Sequence, residues 1–515
     1  MERHGSETYY VIGEGLLGES VGGRVSAADA KTPTVPPFRF SRMGPIGTGR
    51  QLTDAVRKTV AAAMTQGGGG ASQIPAGFTY LGQFADHDLT FDKTTVMLGQ
   101  NVTPADLLQG RSPSLDLDSL YGAGPADPGS AMFYESDGLH LKVGRTDAAD
   151  GFPAMDGFDL PRGAGSTVAA KRTAIIPDPR NDENLAVAQT HCAFIRFHNR
   201  VADTLPASVP AGNRFAKARE IVTKHYQWMI RTDFLPRVCQ ASVVNRVFTS
   251  GRKAFEVGAA PTDVPTMPIE FSVAAYRLGH SMVRGAYNWN KVFDNGAGTL
   301  DLLFAFSGLS GDFLGGLRLP SNWIADFRRL YDFSEAGRND LVVPATKSNR
   351  ANRIDTELSV PLATLPGFPP AESNLAFRNL TRAKMLNLAT GQQMATFLTG
   401  KGVALTRLTA AQMRDGKNGA TLDGLTQQQR NGFLRNTPLW FYVLREAELN
   451  QGRLGGVGAR IVAETFQRAM EGSRFSIVRD STWRPSLGPN ATTFRMVDLL
   501  LFAFRKRKNL LAPLG

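Results

Sequence analysis

The stretch PDPRNDENLAVAQTHCAFIRFHNRVADTL, residues 177–205, decides how this chain folds. Pro177-Asp178-Pro179 stops whatever precedes it, because proline lacks an N–H and disfavours helix in the residue before it. Asn181, Asp182 and Glu183 then suit a helix cap and an acidic first turn. Beyond them, one stripe at helical spacing carries Leu185, Ala188, Cys192 and Ile195, and a second carries Val187, His191, Phe194, His198 and Val201. A helix that is apolar on two stripes is predicted to run through the middle of a domain.

Working outward, the same periodicity predicts helices over 216–231, 272–283, 376–388, 390–398 and 458–470. Strand-like alternation is scarce, and neither a repeat nor a low-complexity linker divides the core. The expected fold class is therefore mainly α: a single large helical domain over 76–490, with little β. Residues 1–75 are rich in Gly, Pro, Ser and Thr and include the run Gly67 to Gly70. They are expected to form an extended N-terminal arm with little helix, packed on the core. Residues 491–515 are expected to form a C-terminal tail, with Arg505-Lys506-Arg507-Lys508 solvated.

The chain has 515 residues, is 42% hydrophobic and carries a net charge of +12. That composition is ordinary for a globular protein. The basic residues are spread out, so nucleic acid is not the expected partner, although a diffuse positive field draws small anions. Two cysteines, Cys192 and Cys239, build neither a disulfide framework nor a zinc cluster. The N-terminus leads into no long apolar run and does not resemble a secretory signal. The run Leu499 to Phe504 is too short to span a bilayer. The expectation is a soluble protein, either cytoplasmic or exported without an N-terminal signal.

Of seven histidines, most are expected to be structural. His191 and His198 lie on a buried stripe and read as core histidines with one hydrogen bond each. His4 is near the terminus, and His140 and His225 have no distinctive neighbours. His87 differs, because it sits in Gln83-Phe84-Ala85-Asp86-His87-Asp88, where Gln83 and His87 share a helix face. Such polarity in an apolar frame fits a bound polar group, a surface helix or a metal-binding stretch. His280 follows Arg277-Leu278-Gly279, and Gly279 leaves room for a flat group to approach the backbone. Arg180 stands ahead of a helix start, with Glu183 in its first turn, where the helix dipole favours a carboxylate. Ser112, Ser114, Asp116 and Asp118 alternate as oxygen donors, the kind of set that hard cations take and that ordinary loops also contain.

Taken in order, these segments resemble the animal-type haem peroxidases of the peroxidase–cyclooxygenase superfamily, and bacterial members in particular. Gln83 to Asp88 resembles the distal-histidine motif, and Asp116 to Gly122 the calcium loop. Arg180-Asn181-Asp182-Glu183-Asn184 resembles the start of the catalytic-arginine helix. Arg277-Leu278-Gly279-His280 resembles the proximal motif, and Asn379-Leu380-Thr381-Arg382 a later element. Each motif is weak alone, but five in order are specific.

The resemblance implies haem b, with His280 as iron ligand and Asn379 bonded to its other ring nitrogen. It implies catalytic roles for His87, Arg180 and Gln83, and haem propionates near Arg277 and Arg382. Asp86 and Glu183 match carboxylates that form ester bonds to haem methyls. Asn184 stands where one relative has a methionine linked to a vinyl group, so that link is not expected. Calcium would be held by Asp88, Ser112, Ser114, Asp116 and Asp118. The implied reaction is peroxide reduction coupled to oxidation of halide, thiocyanate or a phenolic donor, as in a response to oxidative stress.

The main rival is a fatty-acid dioxygenase of the same superfamily. Those enzymes place a radical-forming tyrosine three residues before the proximal histidine. Here that position is Arg277. Tyr276 is one residue off, which on an α-helix turns it by about 100°. A third reading, a nucleotide-binding protein, rests on Gly13-Glu14-Gly15-Leu16-Leu17-Gly18, which lacks a strand–turn–helix frame.

Overall fold

The computed structural model describes residues 38–48, 52–67, 70–94, 96–163 and 165–515. The Gly13–Gly18 motif and His4 lie outside them. The helices that matter here are α1 (Asp54–Met64), α2 (Gly77–Leu89), α3 (Leu185–Asp203), α4 (Arg214–Met229), α5 (Ala241–Ser250), α6 (Gly279–Met282), α7 (Leu375–Met385), α8 (Gly391–Gly400), α9 (Leu439–Leu449), α10 (Gly456–Glu471) and α11 (Met496–Ala503). The strands among the described residues form two-stranded pairs only, so the mainly α expectation holds. No helix among the described residues is long and apolar enough to cross a membrane.

As its two apolar stripes predict, α3 is buried along most of its length, with α2, α4 and α11 against it. Its cap lies later than expected. The Oδ1 of Asn184, held in extended backbone, accepts the Val187 N–H at 3.0 Å. Residues Pro179–Asp182 form a separate 3-10 turn, started by Asp178, whose carboxylate accepts the Arg180 N–H at 3.0 Å. Aromatic rings join α3 to α2, where Phe84 stacks on Phe194 with centroids 4.4 Å apart. The helix α2 is buried almost throughout and starts at a close approach. A Cβ on Gly77 would fall 2.3 Å from the Tyr331 ring, whose hydroxyl donates to the Gly77 carbonyl.

Three expectations need correction. The described part of the arm is not all extended, because α1 carries Val56, Val60 and Met64 into the core against α7. Residues 38–48 do run extended, and Glu270 accepts the N–H groups of Met43 and Gly44, which ties them down. The helix expected over 272–283 is broken into a 3-10 turn, Ala275–Leu278, and the short α6. The Ser272 carbonyl freed by the break takes the Arg277 Nε–H at 2.7 Å. Residues 491–515 are not a free tail. α11 buries Val497, Leu499 and Leu500 against α3, because its apolar run has a core face to cover. The Arg505–Lys508 run is exposed, as expected.

The structural histidines also differ from expectation. His198 makes two hydrogen bonds, to Tyr121 and to the Leu139 carbonyl, and His191 makes none. His225 proves distinctive. Its Nδ1 donates to the Ile221 carbonyl at 2.7 Å, and its Nε2 accepts the N–H groups of Ser486 and Leu487 at 3.0 and 3.2 Å. Burial lowers its pKa to about 4, against the raising effect of the Ile221 bond. Only the neutral ring accepts at Nε2, so protonation breaks the clip on 486–487. Because the folded-state pKa lies below the ordinary value, stability is fully present above about pH 6.5 and declines as pH falls toward 4. His225→Ala is expected to cost about 1–3 kcal/mol, measured by urea unfolding at neutral pH, and to reduce that acid dependence.

Candidate haem site

Some of the side chains singled out in the sequence, Gln83, Asp86, Arg277 and His280, meet where α2 faces α6 across a narrow cavity, whereas His87, Arg180, Glu183 and Asn379 stand behind its lining. About 390 Å³ of space is lined by Gln83 and Asp86 from α2 and by Tyr276, Arg277, Gly279 and His280 from the opposite wall. A second cavity of about 510 Å³ adjoins it through Arg277 and is lined also by Thr90, Asp92, Ser272 and Arg382. Gly279 has nothing within 4 Å of where a Cβ would stand, which keeps its side of the cavity open.

His87 is fully buried. Its Nδ1 lies 2.9 Å from Asn181 Oδ1, and its Nε2 has no hydrogen-bond partner. Burial, reinforced by Arg180, lowers the pKa of His87 to about 3. The ring is therefore neutral, with Nδ1–H donating to Asn181 and a lone pair left on Nε2. Glu183 Oε1 stands 3.7 Å from that nitrogen, but burial pushes the Glu183 carboxyl well above its usual range. Gln83 bridges the wall, donating to Glu183 Oε1 and accepting from Asn184 Nδ2 at 3.0 Å. Gln83 is therefore held on both sides by α3 and its leading turn.

Arg180 is held more firmly than its position ahead of a helix implies. Its Nε and Nη2 donate to the two oxygens of Asp178 at 3.0 and 2.8 Å. Nη2 also donates to the carbonyls of His87, at 3.1 Å, and Thr90. The guanidinium lies over the Phe91 ring, 4.5 Å from its centroid. Although burial opposes it, Arg180 and Arg111 hold the Asp178 carboxyl well below its usual range. This buried ion pair staples the end of α2 to the turn before α3 and places positive charge beside His87. Asp86 is pushed up to about 6 by burial, against the pull of Arg277 and Arg180.

On the opposite wall, His280 Nδ1 is 2.8 Å from the Asn379 side-chain amide. Asn379 Oδ1 has no partner in the recorded amide orientation. Exchanging the amide N and O lets Nδ1–H donate to Oδ1, which leaves Nε2 unprotonated. The Trp440 indole, from α9, donates to the Arg277 carbonyl at 3.3 Å and meets the His280 ring edge-on at 6.4 Å. Tyr276 is not turned away as an α-helix would require. In the 3-10 turn it lines the cavity, and its hydroxyl donates to the Gly82 carbonyl at 3.2 Å.

Asn181, Asp178 and Trp440 are the residues that sequence reasoning missed. Asn181 was read as a helix cap. Its position inside the Arg180–Glu183 run was the only available signal.

The oxygen-donor loop lies below α2. Asp88 accepts the Leu117 N–H at 3.1 Å, and burial and Asp118 push its carboxyl up to about 8. Asp118 is pushed up to about 6 by burial and Asp116. Asp116 bonds to Ser473 and to the Arg474 N–H, Ser112 Oγ accepts the Ser114 N–H at 3.2 Å, and the Ser114 hydroxyl donates to the Gly472 carbonyl at 3.3 Å. Among the described residues, no three His, Cys, Asp or Glu side chains already form a metal-holding group.

The residues present fit a haem. His87 Nε2, Asp86 Oδ2 and Glu183 Oε2 are buried and have no hydrogen-bond partner among the described residues. Such atoms are costly unless a ligand meets them. Arg277 and Arg382 bring positive charge to the adjoining cavity.

Comparison with known proteins agrees. Residues 73–306 match the family model "Animal haem peroxidase". Thyroid peroxidase of Canis lupus familiaris is 27% identical over 199 residues, 36% of this chain and 20% of that protein. Peroxidasin homolog pxn-1 of Caenorhabditis elegans is 24% identical over 331 residues, 61% of this chain and 23% of that protein. The matches thus span about a fifth of the length of these curated relatives. Among solved structures, peroxidase A from Dictyostelium discoideum superposes with a TM-score of 0.56 at 15% identity, covering 93% of this chain and 94% of that one. A fatty acid alpha-dioxygenase of Arabidopsis thaliana superposes with a TM-score of 0.55 at 12% identity, covering 92% and 78%. Over residues 73–306 the chain is thus similar to the animal haem peroxidases.

Proposed function

We propose that this protein is a haem-dependent peroxidase that reduces hydrogen peroxide and oxidises halide, thiocyanate or a small phenolic donor. The observation that carries this reading is the unpartnered Nε2 of His87, buried on the same helix whose Gln83 and Asp86 line one cavity with His280. Haem, when bound, supplies the iron at which peroxide is activated. His280 would hold it through Nε2, and the Asn379 bond at Nδ1 fixes the tautomer and raises the ligand's basicity. His87 Nε2 takes the proton from one peroxide oxygen and returns it to the departing one. Asn181 holds the tautomer this requires. Arg180 stabilises charge developing beside His87, and its pairing with Asp178 pre-orients it. Gln83 orients the small molecule between Glu183 and the cavity.

The deciding test is reconstitution with haem. A Soret band that shifts on adding peroxide, with turnover of bromide, thiocyanate or guaiacol, supports the reading. A protein that stays colourless after reconstitution would sink it. The cavity position of Tyr276 favours a second reading, lipid oxygenation. Oxygen uptake with a fatty acid and no peroxide activity would select it.

Asp86 Oδ2 and Glu183 Oε2 are the free oxygens from which ester links to haem would form. After turnover with peroxide, the haem is expected to resist acid–acetone extraction, and Asp86→Asn with Glu183→Gln to release it. Complete release from the unmodified protein would refute the links. A calcium ion would relieve the repulsion among Asp88, Asp116 and Asp118, with Asp116 and Ser114 exchanging their present partners for it and Ser112 completing the set. Chelation by EGTA is then expected to lower the melting temperature and loosen α2. An unchanged melting curve in EGTA and in excess calcium would discard the ion.

A further inference from the structure

A cavity of about 1110 Å³ lies where α5, the end of α9, the start of α10 and the loop 403–408 meet. It shares no lining residue with the two haem cavities. Its lining is divided by chemistry. Val243, Leu405 and Leu408 present an apolar wall, and Arg246, Lys253 and Arg460 bring positive charge. One carboxylate is present, Glu446, and its charge is already engaged. It accepts the N–H groups of Val457 and Gly458 at the start of α10, both at 3.0 Å.

Arg460 is only 2% exposed. Its Nε donates to Glu464, and its Nη2 reaches the Gly251 carbonyl at 3.4 Å. Glu464 in turn accepts the N–H groups of Lys253, Ala254 and Phe255 at 2.8, 2.9 and 2.8 Å, so it does not depend on Arg460. Arg460 is thus a buried arginine, held by Glu464, that lines the cavity. Arg246 and Lys253 are exposed at its rim. A preformed concave site with an apolar wall and a cationic end selects a ligand with the complementary division. The charged end meets a guanidinium, which binds carboxylates with geometric preference.

We propose that this cavity is a second binding site, separate from the haem, for an amphipathic organic anion: an alkyl or aromatic body ending in a carboxylate. The probe is dodecanoate, titrated calorimetrically into the haem-loaded protein, with inorganic phosphate as a headgroup-only control. Dodecanoate is expected to bind at one site without changing the haem absorption spectrum, and phosphate to bind at least tenfold more weakly. The double change Arg246→Glu, Lys253→Glu reverses two exposed charges and is expected to weaken dodecanoate binding roughly tenfold. Leu405→Trp, which fills the apolar side and leaves the charges alone, is expected to weaken it as well. The proposal is overturned by absence of dodecanoate binding, by equal affinity for phosphate, by unchanged affinity in both variants, or by binding that tracks a change in the haem spectrum.

Discussion

His280→Ala is expected to lower haem affinity by more than about 100-fold, read as loss of the Soret band during haem titration. Loss of a hydrogen bond behind a metal-ligating histidine alone costs about 10–100-fold in metal affinity. That is the effect expected of Asn379→Ala, which removes the 2.8 Å contact to His280 Nδ1. Deleting the ligand itself must cost more. The wall would otherwise stand, because Trp440 still donates to the Arg277 carbonyl and the turn Ala275–Leu278 remains packed by α9 and α10. The variant is thus expected to unfold normally in urea and to regain colour with added imidazole, which can occupy the vacated space. Unchanged haem affinity in His280→Ala would show that the iron ligand lies elsewhere.

The second large effect is expected at His87. His87→Ala removes the nitrogen proposed to move the peroxide proton, and general acid–base catalysis is worth about 10²–10⁴-fold. The rate of reaction with peroxide is expected to fall by that factor while haem stays bound. Asn181→Ala gives the finer test. It keeps the imidazole but removes the acceptor 2.9 Å from Nδ1, so the ring no longer has a fixed tautomer. A loss of about tenfold, with the haem spectrum unchanged, is the expected result of losing one tautomer-fixing bond. If both variants react with peroxide as fast as the parent protein, His87 does not carry the proton. Arg180 is a poorer place to begin. It binds two carbonyls and Asp178, so its removal mixes folding with chemistry.

The pattern of residues carried a good deal of this. Local rules operate over a turn or two, and the signals legible in the chain are local. The double apolar stripe of 185–201 marks a central helix because 3.6-residue periodicity is a property of neighbours. Gln83, Asp86 and His87 fall within two turns, as do Arg277 and His280, so their company is visible before any folding. Family resemblance supplied the pairing of these segments with a haem.

Distances along the chain explain what stayed hidden. His87 and Asn181 are 94 residues apart, and Arg277 and Trp440 are 163 apart. No spacing rule joins such pairs, because only packing brings them within hydrogen-bond reach. The same cause moved the cap of α3 to Asn184, since Asn181 was already taken by His87, and broke the helix before His280. That break brought Tyr276 to the cavity wall, where an ideal helix would have turned it away. The sequence alone thus singled out the residues proposed to carry the chemistry, His87, His280 and the carboxylates Asp86 and Glu183. The tertiary structure decided which nitrogen of each histidine is held, Nδ1 of His87 by Asn181 and Nδ1 of His280 by Asn379, because those partners come from distant segments.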